Sequence, residues 1–347
     1  MKGHQILFGH VFDRDAAALF VDGQLEDLAI DPGDLVPFAP GAILRGRVNR
    51  LMKGQGGVFV SLLGGVSGYL RDRSGLREGQ AVLVQVNGVA EPGKAVPLTA
   101  RLLVRGRYGI ATPASAGVNI SRAIRDPERR GVLQGLGEAA LAGRDTGLIL
   151  RSAALYADDD DIAGELADVI GLAVAIAGDV EGAPELLLDA PAPGDIAWRD
   201  WSVSTLDVVS QIAGNQLKDV TDAIQELLLP RVGLPGGAFA VIEPTRALVA
   251  VDVNTGPDHS PAAALKANIA LARSLPRELR LRGLGGQIVI DFAPISKRER
   301  GILDQEMKKA FRADGGDSVL SGWTGMGLFE LTRKRDRVPL AMLAGEV

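Results

Sequence analysis

Two short apolar segments in the second half of the chain each carry an aspartate at or near the end, Ala247-Leu-Val-Ala-Val-Asp-Val-Asn254 and Gln287-Ile-Val-Ile-Asp291. An acidic side chain at the tip of a buried strand is costly unless it is paired or binds a cation. Between the segments lie a loop, residues 255–261, and a helical stretch from about Ala262 that is closed by Gly285-Gly286. A strand, a crossover helix and an adjacent parallel strand need about this length, so the two aspartates are predicted to emerge on neighbouring strands.

The oxygen donors at these strand ends predict a site for a hard cation. Asp252 and Asp291, with the Asn254 amide nearby, suit Mg²⁺, which proteins hold through one or two carboxylates plus substrate phosphate. Mn²⁺ is the expected substitute. A zinc site is not expected, because the chain has no Cys and only three His. The alternative is that both aspartates are strand-end acids bound by helix N-terminal amides.

Four segments in a fixed order surround and include these aspartates. They are Arg246–Thr255, Asn268–Arg273, Glu278–Phe292 and Gly327–Arg335. Together they resemble the ribonuclease E/G family, and the resemblance implies a DNase I-like α/β catalytic domain over residues 228–347. In that domain Asp252 and Asp291 would bind Mg²⁺ and Asn254 would orient an aspartate. The implied chemistry is hydrolysis of an RNA phosphodiester by metal-activated water.

Residues 40–105 contain five short alternating segments separated by Gly-rich turns, which predicts a small antiparallel barrel. The segments are Ala42–Asn49, Gly57–Leu62, Val66–Leu70, Ala81–Val86 and Pro97–Val104. The pattern resembles the OB-type RNA-binding barrel of the same family. This resemblance implies that Phe59 and Tyr69 stack on bases and that Lys94 contacts a phosphate. A core position for Phe59 is the alternative.

The segments on either side of the barrel are also similar to parts of the family. Residues 1–39 are predicted to form a hairpin and a third strand, and the resemblance implies that they begin an RNase H-like subdomain. Residues 202–227 would be an abbreviated return of that subdomain. No catalytic constellation is predicted in either part.

Residues 106–201 resemble the family's sensor for an RNA 5′-monophosphate. The resemblance places the phosphate contacts on Arg151, the Ser152 hydroxyl and the Ile110 backbone amide. Four aspartates at residues 158–161 follow closely, and they would repel a phosphate unless they point away from it. The alternative for Arg151 is therefore a surface or salt-bridged residue.

The charge distribution allows a locally basic surface on an acidic protein. The formal net charge of −5 by itself disfavours a nucleic-acid partner. Basic residues nevertheless occur in clusters, and Arg122, Arg280 and Arg282 are the predicted RNA contacts among them. An exposed basic turn is the alternative for Arg280 and Arg282. Pro276 is expected to kink the helical stretch 262–281 or end it early.

Several classes of protein are not expected from this sequence. The N-terminus lacks the apolar core of a signal peptide, and the apolar stretch 169–178 is too short to span a bilayer. The absence of Cys fits a reducing compartment, which predicts a cytoplasmic protein. For the same reason, the Cys-pair zinc link that family members commonly carry is not expected, and any homo-oligomer is expected to use another surface.

The fold prediction is an α/β protein with an inserted all-β barrel. The predicted function is a Mg²⁺-dependent endoribonuclease that acts on single-stranded RNA in rRNA or mRNA processing or decay. Two alternatives stay open: an RNA-binding protein on the same scaffold with little or no cleavage activity, and a Mg²⁺-dependent phosphoesterase with another substrate. Asp252, Asn254 and Asp291 favour the enzyme. Departures from the family's pattern favour the RNA-binding protein, among them Pro294, where the family commonly has Asp.

Overall fold

A computed structural model describes residues 3–49, 56–71, 75–201, 206–211 and 215–345. The chain divides into two compact units. Unit 1 comprises residues 1–35 and 205–347, and unit 2 comprises residues 36–204. Unit 2 is therefore inserted into the sequence of unit 1. The predicted return of the first subdomain, residues 202–227, lies partly outside the described residues.

The described residues form twenty strands and seven α-helices. The strands are β1 His4–Val11, β2 Arg14–Val21, β3 Gln24–Ile30, β4 Ile43–Val48, β5 Val58–Ser61, β6 Ser67–Leu70, β7 Ala81–Val86, β8 Val96–Thr99, β9 Val104–Arg105, β10 Gly109–Thr112, β11 Gly117–Ile120, β12 Gly147–Leu150, β13 Glu185–Leu188, β14 Leu206–Gln211, β15 Arg231–Gly233, β16 Phe239–Pro244, β17 Val249–Asn254, β18 Gly286–Asp291, β19 Ser318–Trp323 and β20 Phe329–Arg333. The helices are α1 Pro127–Leu141, α2 Asp159–Gly178, α3 Pro193–Asp200, α4 Asn215–Leu228, α5 Pro261–Leu281, α6 Lys297–Asp314 and α7 Leu340–Leu343. None of the described helices combines the length and the apolar character that a bilayer span needs.

Unit 2 contains a closed five-stranded barrel. Its strands are hydrogen-bonded in the order β4-β5-β6-β8-β7, and β7 pairs back with β4. Alternate Val and Leu side chains fill the interior. The predicted fold class, α/β with an inserted all-β barrel, is confirmed. The expectation of an antiparallel barrel was wrong at one pair, since β6 and β8 run parallel. These two strands are not consecutive in the chain, because β7 lies between them.

Unit 2 also contains a four-stranded sheet, β11-β12-β10-β9, with helices α1 and α2 packed on it, while β13 pairs with β4 outside the closed barrel. Helix α2 begins at the acidic run. The Asp158 carboxylate caps it by accepting the Asp160 backbone N–H across 2.9 Å. Three further aspartates occupy the first turn, where the helix dipole stabilises negative charge. The acidic run therefore has a local structural role as a helix start.

Unit 1 contains two sheets. The first has the order β14-β1-β2-β3, with β14 parallel to β1. Three strands thus form within residues 1–39, as predicted. The second has the order β15-β16-β17-β18-β20-β19, and helices α5 and α6 pack on one face of it. Strands β17 and β18 are the two predicted aspartate-bearing strands, and they are adjacent and parallel as expected.

Helix α5 connects these two strands and runs through Pro276 to Leu281. Of the two expected effects of Pro276, an early end of the helix was wrong, and a kink stays a prediction. Leu275 and Leu279, on either side of it, are fully buried against the sheet. This packing keeps the helix continuous through a residue that lacks one backbone N–H.

Candidate functional site

The two predicted metal ligands lie side by side at one end of the second sheet. Asp252 on β17 and Asp291 on β18 are paired directly in the parallel register. Along β17, buried Val251 and Val253 alternate with Asp252, so the valines face the helices while the carboxylate faces away from them. Both aspartates are exposed. The sheet face that α5 and α6 leave uncovered, hereafter the open face, therefore presents two adjacent carboxylates.

Asn254 lies two residues beyond Asp252, on the same strand and the same face. Its Nδ2 donates to Oδ2 of Asp252 across 2.6 Å, which restricts the rotation of that carboxylate. No donor contacts Asp291 among the residues that the structure describes. Ser260 and Ser296 are the N-cap residues of α5 and α6, and no N-terminal amide of the described helices donates to either aspartate.

The donor set fits a hard divalent cation that keeps most of its water. No Lys, Arg or His of the described part of the chain is bonded to these two neighbouring carboxylates, which therefore concentrate negative charge that a cation would neutralise. Within the described ranges, no group of three or more His, Cys, Asp or Glu is arranged to hold a metal. A site with two carboxylates leaves the other coordination positions to water and substrate phosphate, which matches Mg²⁺ better than zinc.

A buried asparagine fixes the backbone that follows Asp291. Asn268 on α5 is fully buried, and its Nδ2 donates to the Ala293 carbonyl across 2.9 Å. Its Oδ1 accepts the Ala293 backbone N–H across 3.0 Å. This paired contact holds the chain two residues after the carboxylate. Sequence reasoning missed Asn268 as a positioning residue, although a polar residue on an apolar helix face was the available signal.

The two predicted base-stacking residues meet on the outside of the barrel. Phe59 on β5 and Tyr69 on β6 are paired in register, with ring centres 5.4 Å apart at an interplanar angle of 61°. Both rings are half-exposed and alternate with buried residues that point inward. The alternative of a core position for Phe59 is therefore not favoured. Gly57 allows the close approach of Tyr69, since a Cβ there would lie 2.6 Å from its hydroxyl oxygen.

Two further predicted RNA contacts of unit 2 are exposed. Lys94 lies in the turn between β7 and β8, where its Nζ pairs with Glu91 across 2.6 Å. Arg122 lies in the loop between β11 and α1, and none of the described residues pairs with it. Because an exposed ion pair is weak, a phosphate can compete with Glu91 for Lys94.

The structure gathers the predicted 5′-phosphate residues near one another, but Arg151 is already paired. Gly109, next to Ile110, is paired with Leu150, next to Arg151, and Ser152 follows in a 3₁₀ turn. The Arg151 guanidinium donates to Asp200 across 2.8 Å and to two backbone carbonyls.

The Asp200 carboxylate competes with a phosphate for the Arg151 guanidinium. Burial opposes its ionisation, but the hydrogen bond and charge of Arg199, with those of Arg151, outweigh burial and hold the pKa of that carboxyl below its ordinary value. Asp200 therefore stays charged at neutral pH. Sequence reasoning missed Asp200, which lies far from Arg151 along the chain.

Arg280 and Arg282 are engaged inside unit 1. Arg280 pairs with Glu26 across 2.6 Å and also with Asp314. Arg282 is buried, where it donates to the Leu229 carbonyl across 2.6 Å. The alternative of an exposed basic turn was wrong, because Arg282 is buried and Arg280 is paired. RNA contact by either residue stays a prediction, and a phosphate would have to displace these partners.

Comparison with known proteins gives consistent matches. The model of the "Ribonuclease E/G family" matches residues 104–210 and 210–336. A ribonuclease E of Nostoc sp. is 30% identical over 77% of this chain and 44% of that protein. A ribonuclease E of Synechocystis sp. is 29% identical over 96% of this chain and 57% of its own length. A ribonuclease G of Salmonella typhimurium is 27% identical over 86% of this chain and 73% of its own. The chain thus spans about half the length of the two ribonuclease E proteins.

Proposed function

Since the chain belongs to the ribonuclease E/G family, we propose that it is an endoribonuclease that hydrolyses phosphodiester bonds in single-stranded RNA during RNA processing or decay. The observation that carries this proposal is the pair Asp252 and Asp291 in direct register, with Asn254 bonded to Asp252. Three oxygen-bearing side chains on one exposed face suit phosphodiester hydrolysis.

Asp252 and Asp291 are the residues that would hold Mg²⁺, with Mn²⁺ as a substitute. The bound ion would supply a water of lowered pKa and would stabilise charge that develops on the phosphate. Asn254 holds one oxygen of Asp252 and so keeps that carboxylate oriented. Asn268 fixes the backbone beyond Asp291 through Ala293. The open face gives a phosphodiester direct access to both carboxylates.

The test of this function is a cleavage assay on a 5′-labelled AU-rich oligonucleotide, with Mg²⁺ and with EDTA. We expect internal cleavage of single-stranded RNA in Mg²⁺, no cleavage in EDTA, and protection of the same sequence in a duplex. A protein that binds the RNA but leaves it intact in Mg²⁺ would overturn the enzyme and support the RNA-binding alternative.

The remaining assignments belong to the same proposal. Residues 40–105 would be the RNA-binding barrel, residues 106–201 the 5′-sensing region and residues 228–347 the catalytic domain. Residues 1–39 and 202–227 would form the supporting subdomain. The expected location is the cytoplasm, where RNA processing substrates are found.

Truncation of Tyr69 or Phe59 to Ala should weaken binding of single-stranded 5′-hydroxyl RNA by about 1 to 3 kcal/mol, because each base loses a stacking surface. Both rings lie on the outer face, so the barrel should stay folded. Fluorescence anisotropy in EDTA measures the affinity, and circular dichroism checks the fold. Tyr156→Ala removes a ring that is 87% exposed and serves as the control. An affinity equal to wild type in both barrel variants would contradict the stacking role.

A 5′-monophosphate should improve cleavage only slightly, by less than about tenfold or roughly 1.4 kcal/mol. The phosphate gains charge-assisted bonds at Arg151, but it must displace Asp200 to obtain them. Initial cleavage rates on 5′-monophosphate and 5′-hydroxyl RNA measure the preference, and Arg151→Gln should abolish it. Asp200→Asn should enlarge it. A large preference in wild type would show that Asp200 does not compete effectively, and equal rates in all three proteins would show that the pocket is inactive.

A further inference from the structure

A second feature of the open face is an arginine stacked on a phenylalanine. The guanidinium of Arg231 on β15 lies 3.8 Å from the centre of the Phe239 ring on β16. Arg231 is paired with Val241, which is itself paired with Asp252, and Phe239 is paired with Asn254. Paired residues of antiparallel strands point to the same face. Arg231 and Phe239 therefore lie on the face that carries the metal ligands, and Arg231 is two strand spacings, or about 10 Å, from Asp252 across the sheet.

Arg231 is exposed, and none of the described residues accepts a hydrogen bond from it. Strands β15–β20 are described in full, and their only other Lys or Arg is Arg333, which is buried and paired with Asp314. Phe239 covers one face of the guanidinium and leaves its N–H edge free. Gly233 lies opposite Phe239, and the space above Gly233 is open. A ligand can therefore reach this edge of the sheet.

The chemistry of the pair identifies the ligand class. A polyanion that approaches two adjacent carboxylates is repelled unless a fixed cation lies nearby. The guanidinium edge matches the geometry of a phosphate, and the aromatic ring holds it in place with little freedom to lose on binding. In a phosphodiester backbone, the phosphate that approaches Asp252 and Asp291 has a neighbouring phosphate, and this second phosphate can bind the guanidinium.

We propose that Arg231, oriented by Phe239, binds a backbone phosphate of single-stranded RNA next to the phosphate at Asp252 and Asp291. RNA as the ligand rests on the proposed function. This contact lies at the edge of the sheet, in addition to the contact at the metal ligands. Together the two contacts fix the direction in which the RNA strand crosses the open face.

The experiment measures RNA binding without cleavage. Wild type, Arg231→Gln, Arg231→Lys and Phe239→Leu are titrated in EDTA against a labelled single-stranded oligonucleotide, at several salt concentrations. Arg231→Gln should raise Kd about tenfold. It should also reduce the slope of log K against log salt by about 0.7, the value for one phosphate contact on a single strand. Phe239→Leu should weaken binding by about threefold with the charge intact, and Arg231→Lys should lie between wild type and Arg231→Gln.

Arg312→Gln is the matched control, since Arg312 is an exposed arginine in the last turn of α6, on the covered side of the sheet, and none of the described residues pairs with it. It should leave both Kd and the salt slope unchanged. A wild-type Kd and slope in Arg231→Gln, or an equal effect of Arg312→Gln, would overturn the proposal. The two proposals fail separately. Wild-type protein that binds through Arg231 but does not cleave in Mg²⁺ overturns the enzyme alone, whereas cleavage with an unchanged KM and Kd in Arg231→Gln overturns this contact alone.

Discussion

Asp291→Asn should lower RNA cleavage by at least about 100-fold, while RNA affinity in EDTA changes little. The substitution keeps the shape of the side chain but removes one of the two ligand charges that lie in direct register. Asp291 makes no contact with any described donor, so its loss should not disturb the fold. Single-turnover rates in Mg²⁺ measure the effect, with anisotropy as the binding readout.

Asp317→Asn supplies the comparison for this variant. Asp317 is exposed and precedes β19, at the opposite end of the same sheet from Asp291. The Asp317→Asn variant changes the net charge by the same amount as Asp291→Asn, and its cleavage rate should equal that of wild type. Equal activity of Asp291→Asn and wild type under Mg²⁺ would remove Asp291 from the metal site.

Asn268→Ala should destabilise unit 1 by about 2 to 5 kcal/mol, because it leaves a buried N–H and a buried C=O of Ala293 without partners. Cleavage should also fall, through kcat more than KM, since the backbone after Asp291 loses its anchor. Urea denaturation measures the stability. Activity is compared at a temperature where circular dichroism shows the variant folded.

Asn119→Ala tests whether any loss is specific to the buried site. Asn119 is exposed on β11, and its substitution should change stability by less than about 0.5 kcal/mol. An Asn268→Ala variant that unfolds at the wild-type urea concentration would show that the Ala293 groups find other partners. A destabilised but fully active variant would deny Asn268 a positioning role.

The sequence predicted the two strands that carry the candidate site better than it predicted their register or the charged partners around them. Apolar runs closed by aspartates were enough to place β17 and β18 as parallel neighbours, because periodicity and spacing are local signals. The direct register of Asp252 with Asp291 depends on how the two strands slide past each other, which no local pattern specifies. The same limit applied to Phe59, because alternation alone did not decide whether its side chain lies inside or outside the barrel.

Partners far apart in sequence account for most of what could not be predicted. Arg280 was predicted to contact RNA, with an exposed basic turn as the alternative, and neither reading anticipated that Glu26, 254 positions earlier in the chain, pairs with it. Arg151 and Asp200 are 49 positions apart. Composition shows that such charges exist, whereas only the packed fold shows which ones meet. The sequence did not indicate a role for Arg231. That role depends on its contact with Phe239 on the next strand and on the sheet face that both share with Asp252.

The insertion of unit 2 into unit 1 has a consequence for the order in which the chain can fold during translation. Strands β1–β3 leave the ribosome before unit 2, yet their core is completed by Val220, Ile224 and Leu227 of α4, which follow the whole of residues 36–204. At about 5 to 20 residues per second, the first sheet waits roughly 10 to 40 s for these partners. Unit 2 is continuous and can fold during that interval. The early hairpin, with Leu7 and Phe20 uncovered, is the stage at which the nascent protein most needs protection from aggregation.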